Sequence, residues 1–417
     1  MDSFIIRGPS RLDGRVEISG AKNAMLPLMA ATLLTGGKCA IDNVPGLRDT
    51  RAMMKLLGIL GVPADLDGGT LSVDATDVTS FEAPYDIVRT MRASIYVLGP
   101  LVARFGRARV SMPGGCAWGP RPVDLHLKGL KALGAEIRID HGYIDARAGR
   151  LRGARIILDV PSVGATVNLV MAAVLAEGET VIENAAREPE ISCLAEALRC
   201  AGAVVEGEGS STVRIRGVDS IEPFRHSVIP DRIEAGTYAA AAAATGGRVE
   251  IARCRPDHMT AVIEKLEGSG AEVETGSDTM IVRGPERISP VDIDTGFYPG
   301  FPTDMQAQMM AVLLRADGAS TIVEHVYQDR FTHVPELRRF GAKISLDGSV
   351  AVVAGVDRLE GAPVMATDIR ASSALLIAAM AAEGETKVLR IYHLERGYER
   401  IEEKLGSLGV DITRVPD

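Results

Sequence analysis

The chain has 417 residues, with 46 basic and 55 acidic side chains and a formal net charge of −9. This acidic balance argues against general nucleic-acid binding but is compatible with one local basic pocket. Hydrophobic residues make up 46% of the chain and aromatic residues 4%, which predicts two or three globular domains with cores of Ala, Val, Leu, Ile and Met.

The sequence predicts no targeting segment and no cysteine-based site. Met1 to Gly8 contains no long apolar run, and the most apolar stretches, such as Tyr238 to Ala244, are much shorter than the roughly 20 residues that span a bilayer. The five cysteines are widely spaced and include no CxxC pair, which predicts neither a disulfide framework nor a zinc site. We therefore expect a cytoplasmic protein that uses no metal or other cofactor and does not bind membranes.

A helix that ends in glycine recurs along the chain, each time followed by two short strands. Glycine just past the last helical turn supplies the left-handed conformation that lets the chain turn into a strand. Successive glycines of this kind lie 68 to 73 residues apart, a period that is too long for a solenoid and suits a small βα unit. The six glycines are Gly61, Gly134, Gly202, Gly270, Gly341 and Gly409.

Each unit also contains an earlier helix that is apolar on nearly every face and is therefore predicted to be buried. These helices are predicted at Asn23 to Leu34, Ala93 to Val102, Thr166 to Ala176, Ala235 to Ala244, Thr303 to Leu314 and Ala371 to Ala382. The glycine-terminated helices, such as Val123 to Leu133 and Tyr398 to Leu408, are amphipathic and are predicted to lie outside. Six α/β units of this kind predict two bodies of three units, with a hinge near Val228 to Asp231.

The segment Pro113 to His126 is too rich in Gly and Pro for a helix or a strand, and it contains one thiol, Cys116. The guanidinium of Arg121, five residues on, can keep a nearby thiol partly ionised near neutral pH, as in reactive cysteines. A tight turn with a chance cysteine is the alternative interpretation of this loop.

Polar residues gather at the predicted starts of the buried helices, where N–H groups and the helix dipole favour anions. Helix capping alone explains Asn23, Asp304 and Asp368 among them. Basic residues at a helix start oppose the dipole, so Lys22, Arg92 and Arg370 favour a bound anion over solvated charges.

Ten motifs along the chain are together typical of one family. PGGCAWGPRPVDLH, which contains Cys116, and FPTDMQAQ, which contains Asp304, are the most specific. The others are SGAKNAMLPL, TMRASIYVLGPLVARFG, SVGATVNL, ENAAREPEI, PDRIEAGT, DRFTHVPEL, TDIRAS and ERGYERIEEKLGSLG. The chain resembles the UDP-N-acetylglucosamine 1-carboxyvinyltransferase family from Met1 to Asp417.

The resemblance implies a fold and a reaction. The implied fold is the enolpyruvyl transferase fold, a two-body inside-out α/β barrel with six βαβαββ-type repeats, three per body. The implied bodies are residues 22–229, which carry the Cys116 loop, and residues 1–21 plus 230–417. The implied reaction transfers the enolpyruvyl group of phosphoenolpyruvate to the 3-hydroxyl of UDP-N-acetylglucosamine and releases phosphate, the first committed step of peptidoglycan synthesis.

The resemblance also implies roles by position. Cys116 corresponds to the proton donor and fosfomycin target, and Asp304 to the base, with Lys22 and Arg396 in the catalytic set. The implied phosphoenolpyruvate site contains Lys22, Asn23, Arg121, Arg370 and Arg396, with Arg330 completing its basic wall. The implied nucleotide-sugar site contains Arg92, Arg121, Pro122, Val123, Asp124, Leu125, Ser162, Val163, Asp304 and Val326. Asp368 is implied to orient groups around the reacting carbon.

Two positions depart from the family pattern. Val160 stands where some members have a lysine near the nucleotide phosphates, so that contact is not expected here. Trp118, the only tryptophan, stands where many members have a smaller residue, and we interpret it as a hydrophobic clamp of the closed loop.

Three alternative functions fit the sequence less well. A paralogous transferase would act on another nucleotide or on shikimate 3-phosphate, but the shikimate branch is disfavoured by the SGAKNAM motif and the Cys116 loop. A non-catalytic repeat scaffold is disfavoured by the basic helix starts, and an RNA-end-processing protein by the acidic net charge.

Overall fold

A computed structural model describes residues 2–112 and 123–416 of the chain. Contacts divide these residues into two compact units, one made of residues 2–19 and 230–416 and the other of residues 20–112 and 123–229. Each unit has three four-stranded sheets and its own hydrophobic core. The predicted α/β fold class with six repeats is confirmed.

The strands of the described chain are short, mostly of three to seven residues. They are β1 (Asp2–Gly8), β2 (Asp13–Glu17), β3 (Lys38–Asp42), β4 (Ala64–Asp67), β5 (Thr70–Asp74), β6 (Glu82–Ala83), β7 (Arg107–Ser111), β8 (Glu136–Asp140), β9 (Tyr143–Arg147), β10 (Arg155–Ile157), β11 (Glu179–Glu183), β12 (Val204–Glu206), β13 (Thr212–Arg216), β14 (Arg225–Ser227), β15 (Arg248–Ala252), β16 (Glu272–Thr275), β17 (Thr279–Arg283), β18 (Ile293–Asp294), β19 (Ala319–Val323), β20 (Lys343–Asp347), β21 (Val350–Ala354), β22 (Val364–Met365), β23 (Gly384–Leu389) and β24 (Asp411–Pro416).

Helices alternate with these strands. They are α1 (Lys22–Ala31), α2 (Arg48–Ile59), α3 (Tyr85–Val88), α4 (Leu98–Phe105), α5 (Asp124–Ala132), α6 (Val163–Ala173), α7 (Pro189–Cys200), α8 (Arg232–Thr245), α9 (Thr260–Gly268), α10 (Gln306–Leu313), α11 (Val334–Arg338), α12 (Ile369–Ala381) and α13 (Ile401–Ser407). Short 3-10 turns are Thr32–Leu34, Arg92–Val97, Pro256–His258, Thr303–Met305 and Ile391–Arg396.

All six sheets have the same pattern of pairing. In each, one parallel pair is followed by two antiparallel pairs, as in the order β10-β11-β13-β12. Two of the parallel pairs join strands that are far apart in the sequence. These pairs are β14 with β3 and β2 with β15. The first strand, β1, lies between β23 and β24. Where the chain passes between the units, Asp231 N–H donates to the Ser19 carbonyl (2.9 Å) and Ala21 N–H to that of Ile229 (2.8 Å).

The apolar helices are buried as predicted. Every residue is buried from Ile233 to Ala244 in α8, from Gln306 to Leu313 in α10 and from Arg370 to Ala381 in α12. The helix predicted at Asn23 to Leu34 instead ends at Ala31 and continues as a 3-10 turn. There, the Thr32 hydroxyl donates to the Met29 carbonyl (2.7 Å) and competes with the helical pattern.

The glycine prediction is also confirmed. All six glycines have positive φ, between 88° and 97°. The residue that follows the glycine can donate a hydrogen bond back to the helix. The Val62 N–H donates to the Leu57 carbonyl, and the Ala203 N–H donates to the Leu198 carbonyl. One predicted helix start is wrong: α13 begins at Ile401, since Arg400 has a φ of 45°, and Tyr398 lies in the core with 2% exposure.

Within residues 2–112 and 123–416, no helix combines the length and the apolar character needed to cross a membrane.

Candidate active site

Asp304 lies between two buried arginines. It belongs to the 3-10 turn Thr303–Met305 ahead of α10, and 27% of its side chain is exposed. Arg330 Nη2 donates to Oδ1 at 2.7 Å and Arg370 Nη2 to Oδ2 at 2.9 Å, while the arginine side chains are only 6% and 5% exposed. Because guanidinium groups can only donate, both carboxylate oxygens act as acceptors. Asp304 is therefore an oriented carboxylate that retains access to solvent.

Arg370 is held on its other side by Tyr398. Arg370 Nη1 donates to the Tyr398 hydroxyl at 3.2 Å. That hydroxyl lies 2.9 Å from Thr237 Oγ1, and Thr237 donates to the Ile233 carbonyl at 2.7 Å, so the Tyr398 O–H must point at Thr237. Burial disfavours the charged form of Arg370, but Asp304 and Tyr398 outweigh it and its pKa is raised. The site thus contains a fixed positive charge.

Asp368 caps α12. Its Oδ1 accepts the N–H groups of Arg370 (2.8 Å) and Ala371 (3.0 Å), and its Oδ2 accepts the hydroxyls of Thr367 (3.3 Å) and Thr332 (3.4 Å). The capping interpretation is correct for Asp368. It is wrong for Asp304, whose oxygens bind guanidinium groups.

The capping interpretation is also wrong for Asn23, because Ala21 is the N-cap of α1 and no side chain caps that helix. Lys22 is the first residue of α1, and its Nζ lies 3.7 Å from Asp49 Oδ2 in the first turn of α2. Their side chains are 13% and 5% exposed. The carboxylate compensates for a cation at the positive end of a helix.

Arg92 opens the 3-10 turn that leads into α4, and its charge acts on His126 of α5. Burial, followed by the charge of Arg92, lowers the pKa of His126 to about 4. The Asn168 amide donates to His126 Nδ1 at 3.0 Å, and its own oxygen accepts the N–H of Gly99 at 2.7 Å. His126 is consequently neutral, and its tautomer is determined by Asn168.

The other predicted nucleotide-sugar contacts lie at helix starts or in a loop. Ser162 Oγ caps α6 by accepting the Ala165 N–H at 3.3 Å, and Val163 is the first residue of that helix. Val123 and Leu125 are 5% and 7% exposed. Their side chains are therefore part of the core.

Other predicted residues are distributed as follows. Asp124 is exposed at the start of α5, Val326 follows β19, and Arg396 is half-buried at the end of the turn Ile391–Arg396. Val160 is 52% exposed ahead of Ser162. Cys116, Trp118, Arg121 and Pro122 lie outside the described residues.

Two side chains near the predicted site were not expected from the sequence. Tyr398 was assigned to a surface helix, although the preceding Gly397 is a signal for a break. Glu324 is buried beside the turn that carries Asp304, and a single acidic residue after a strand carries no recognisable signal. In the part of the chain that the structure describes, no three His, Cys, Asp or Glu side chains are grouped as metal ligands.

Comparisons with known proteins agree across the whole chain. Residues 6–405 match the EPSP synthase (3-phosphoshikimate 1-carboxyvinyltransferase) family model. UDP-N-acetylglucosamine 1-carboxyvinyltransferases of Geobacter metallireducens and Trichlorobacter lovleyi are 53% and 54% identical to the chain, with full coverage of both partners.

Solved structures show the same fold. The enolpyruvyl transferase NikO from Streptomyces tendae matches with a TM-score of 0.90 and 28% identity, covering 100% of this chain and 99% of its own. An EPSP synthase from Acinetobacter baumannii, at 17% identity and a TM-score of 0.77 with full coverage of both chains, shares the fold. The chain therefore belongs to the UDP-N-acetylglucosamine 1-carboxyvinyltransferase family of enolpyruvyl transferases.

Proposed function

We propose that this protein transfers the enolpyruvyl group of phosphoenolpyruvate to the 3-hydroxyl of UDP-N-acetylglucosamine and releases phosphate. The observation that carries the proposal is the 53–54% identity to enzymes of that name over the whole chain. The product is a precursor of peptidoglycan, so the protein acts in cell-wall synthesis. Its ligands are two small anionic molecules.

The chemistry needs an acid, a base and cations. In the addition half, Cys116 gives a proton to the methylene carbon, the sugar oxygen bonds to the central carbon, and Asp304 takes the hydroxyl proton. In the elimination half, the new methyl group returns a proton to the Cys116 thiolate, and phosphate leaves the tetrahedral ketal with the electrons of its C–O bond and with the proton that Asp304 had taken. The orientation of Asp304 by Arg330 and Arg370 supports its role as the base, because a base must be aligned with the proton it accepts.

The cationic residues are proposed to hold the anionic groups of phosphoenolpyruvate. Lys22, Arg121, Arg370 and Arg396 bind its phosphate and carboxylate, with Asn23 as a neutral donor. Support comes from Arg370, whose charge is maintained by its carboxylate neighbours although it is buried. The bodies of the enzyme are proposed to be residues 22–229 and residues 1–21 plus 230–417.

The nucleotide sugar is proposed to contact Arg92, Arg121, Ser162, Val163, Asp304, Val326 and the run from Pro122 to Leu125. Val123 and Leu125 are buried, so their contribution comes from backbone groups. The capped start of α6 at Ser162 offers N–H groups to an anionic ligand.

A phosphate-release assay tests the function. Purified protein is incubated with phosphoenolpyruvate and either UDP-N-acetylglucosamine or shikimate 3-phosphate, the acceptor suggested by the name of the matching family model. We expect phosphate release only with the nucleotide sugar. Release with shikimate 3-phosphate alone would show that the acceptor is misassigned.

A further inference from the structure

Glu324 is a buried carboxylate to which none of the roles above has been assigned. It directly follows β19, is 1% exposed, and lies in the same compact unit as Asp304. A fully buried carboxylate is costly unless its oxygens are hydrogen-bonded. The hydrogen-bond partners of Glu324 therefore indicate its structural role.

One oxygen of Glu324 organises the loop after β19. Oε1 accepts the N–H groups of Val326 (2.9 Å) and Tyr327 (3.0 Å) and the hydroxyl of Thr295 (2.8 Å). Thr295 Oγ1 itself accepts the His325 N–H at 2.9 Å, so its proton is directed at Glu324. The backbone N–H groups of Val326 and Tyr327 are thus bound directly to one acceptor atom, and that of His325 is linked to it through Thr295.

The other oxygen of Glu324 leads to Asp304. Oε2 accepts the Thr303 hydroxyl at 2.8 Å, and Thr303 Oγ1 accepts Arg330 Nη1 at 2.8 Å. Arg330 Nη2 donates to Asp304 Oδ1 at 2.7 Å. Because an arginine cannot accept a hydrogen bond, the Thr303 proton has to point at Glu324. The direction of every bond from Glu324 to Asp304 is therefore determined.

We infer that Glu324 is a positioning residue for the enolpyruvyl transfer, and this inference rests on the proposed function. It fixes the position of the Val326 backbone, a proposed nucleotide-sugar contact, relative to the turn that carries the proposed base, Asp304. A carboxylate is required at this position because all four of its partners donate. Neither a neutral amide nor an alcohol offers acceptors on both sides.

The substitution Glu324→Gln tests this requirement with almost no change in shape. If the amide oxygen takes the place of Oε1, the NH2 group faces Thr303 and displaces the hydrogen bond from Arg330. Asp304 then loses its alignment, and we expect kcat to fall about tenfold to a hundredfold. The KM for UDP-N-acetylglucosamine should rise less than kcat falls.

Thr303→Val isolates the hydrogen bonds that lead to Asp304, since it replaces the hydroxyl with a methyl group in a side chain of nearly the same shape. It should lower kcat and leave the KM for the nucleotide sugar near its original value. The double variant should lose less activity than the product of the two single losses, because both changes break one chain of hydrogen bonds. Glu274→Gln, at an exposed pair with Arg283, is the matched control.

The experiment measures kcat, KM for both substrates, the pH dependence of kcat/KM and the denaturation midpoint of each variant. Losses confined to Glu324 and Thr303, with an altered pH profile and a folded protein, support the inference. Multiplicative losses, or a Glu324→Gln enzyme equal to the control, overturn it. A wild-type protein inactive with this acceptor would overturn both this inference and the proposed function. An active wild type with unaffected variants overturns the inference alone.

Discussion

Arg370 makes two hydrogen bonds to one oxygen of Asp304, from Nε at 3.2 Å and from Nη2 at 2.9 Å. Arg330 binds the other oxygen, so the carboxylate cannot rotate without losing one of its partners. Two side chains from separate parts of the sequence thereby orient the proposed base, leaving 27% of its side chain exposed.

Asp304→Asn should abolish most of the activity. An amide cannot take the hydroxyl proton, so we expect phosphate release to slow by about a hundredfold or more. It also leaves two buried guanidinium groups less compensated, and we expect the free energy of unfolding to fall by about 1–3 kcal/mol, since Asp304 is partly exposed. Asp329→Asn on the neighbouring loop is the control for denaturant unfolding and phosphate release. Near-normal turnover in Asp304→Asn would rule out its role as the base.

Tyr398→Phe tests the support of Arg370. The loss of the hydroxyl removes the acceptor of Arg370 Nη1 and the donor to Thr237, which should cost about 1 kcal/mol of stability. We expect the KM for phosphoenolpyruvate to rise several-fold and that for the nucleotide sugar to stay constant in steady-state assays. Tyr85→Phe, at an exposed tyrosine, should change neither value. Equal increases in both KM values would show that Tyr398 acts on the fold as a whole.

Stability should decrease in mild acid because of two buried histidines. Burial lowers the pKa of His126 and of His333 to about 4, below the value of about 6.5 in an unfolded chain. Between these values the unfolded chain binds more protons, so the stabilisation is complete above pH 6.5 and is lost as the pH falls toward 4. Each histidine contributes a slope of at most about 1.4 kcal/mol per pH unit.

Denaturant midpoints from pH 7 to pH 4.5 measure this effect. His126→Gln should flatten the dependence, whereas His141→Gln, at an exposed position, should leave it unchanged. An unchanged slope in His126→Gln would mean that His126 has the same pKa in the folded and unfolded chains, contrary to its burial in α5.

Thiol reactivity should distinguish Cys116 from the other cysteines. Burial raises the pKa of the Cys39 thiol, and it raises that of Cys193 to about 12 and that of Cys254 to about 11. These three thiols are therefore protonated and shielded from solvent near neutral pH. We expect fosfomycin to alkylate Cys116 and peptide mass spectrometry to locate the adduct there.

Two cysteine variants test whether fosfomycin labels Cys116. Cys116→Ser should abolish the adduct and suppress turnover, whereas Cys200→Ser, at an exposed cysteine of α7, should preserve both properties. Adduct formation in Cys116→Ser would identify another residue as the target.

The pattern of the sequence predicts the repeats, but it does not predict which side chains bind one another. Apolar periodicity and the cap glycines depend on local chemistry, and the helix-ending glycines from Gly61 to Gly409 were identified correctly. The partners of Asp304 could not be found this way, because Arg330 and Arg370 are distant in sequence and their approach depends on packing. Tyr398 was misassigned for a similar reason: the pattern from Tyr398 to Leu408 resembles an amphipathic helix, but the positive φ of Arg400 separates Tyr398 from α13.

The most direct test of the account is the structure of the product formed from phosphoenolpyruvate and UDP-N-acetylglucosamine, determined by NMR with phosphate measured in parallel. We predict one nucleotide product with an enolpyruvyl ether at the sugar 3-position and an equal amount of phosphate. An unmodified nucleotide sugar, or an ether at another position, would contradict the account.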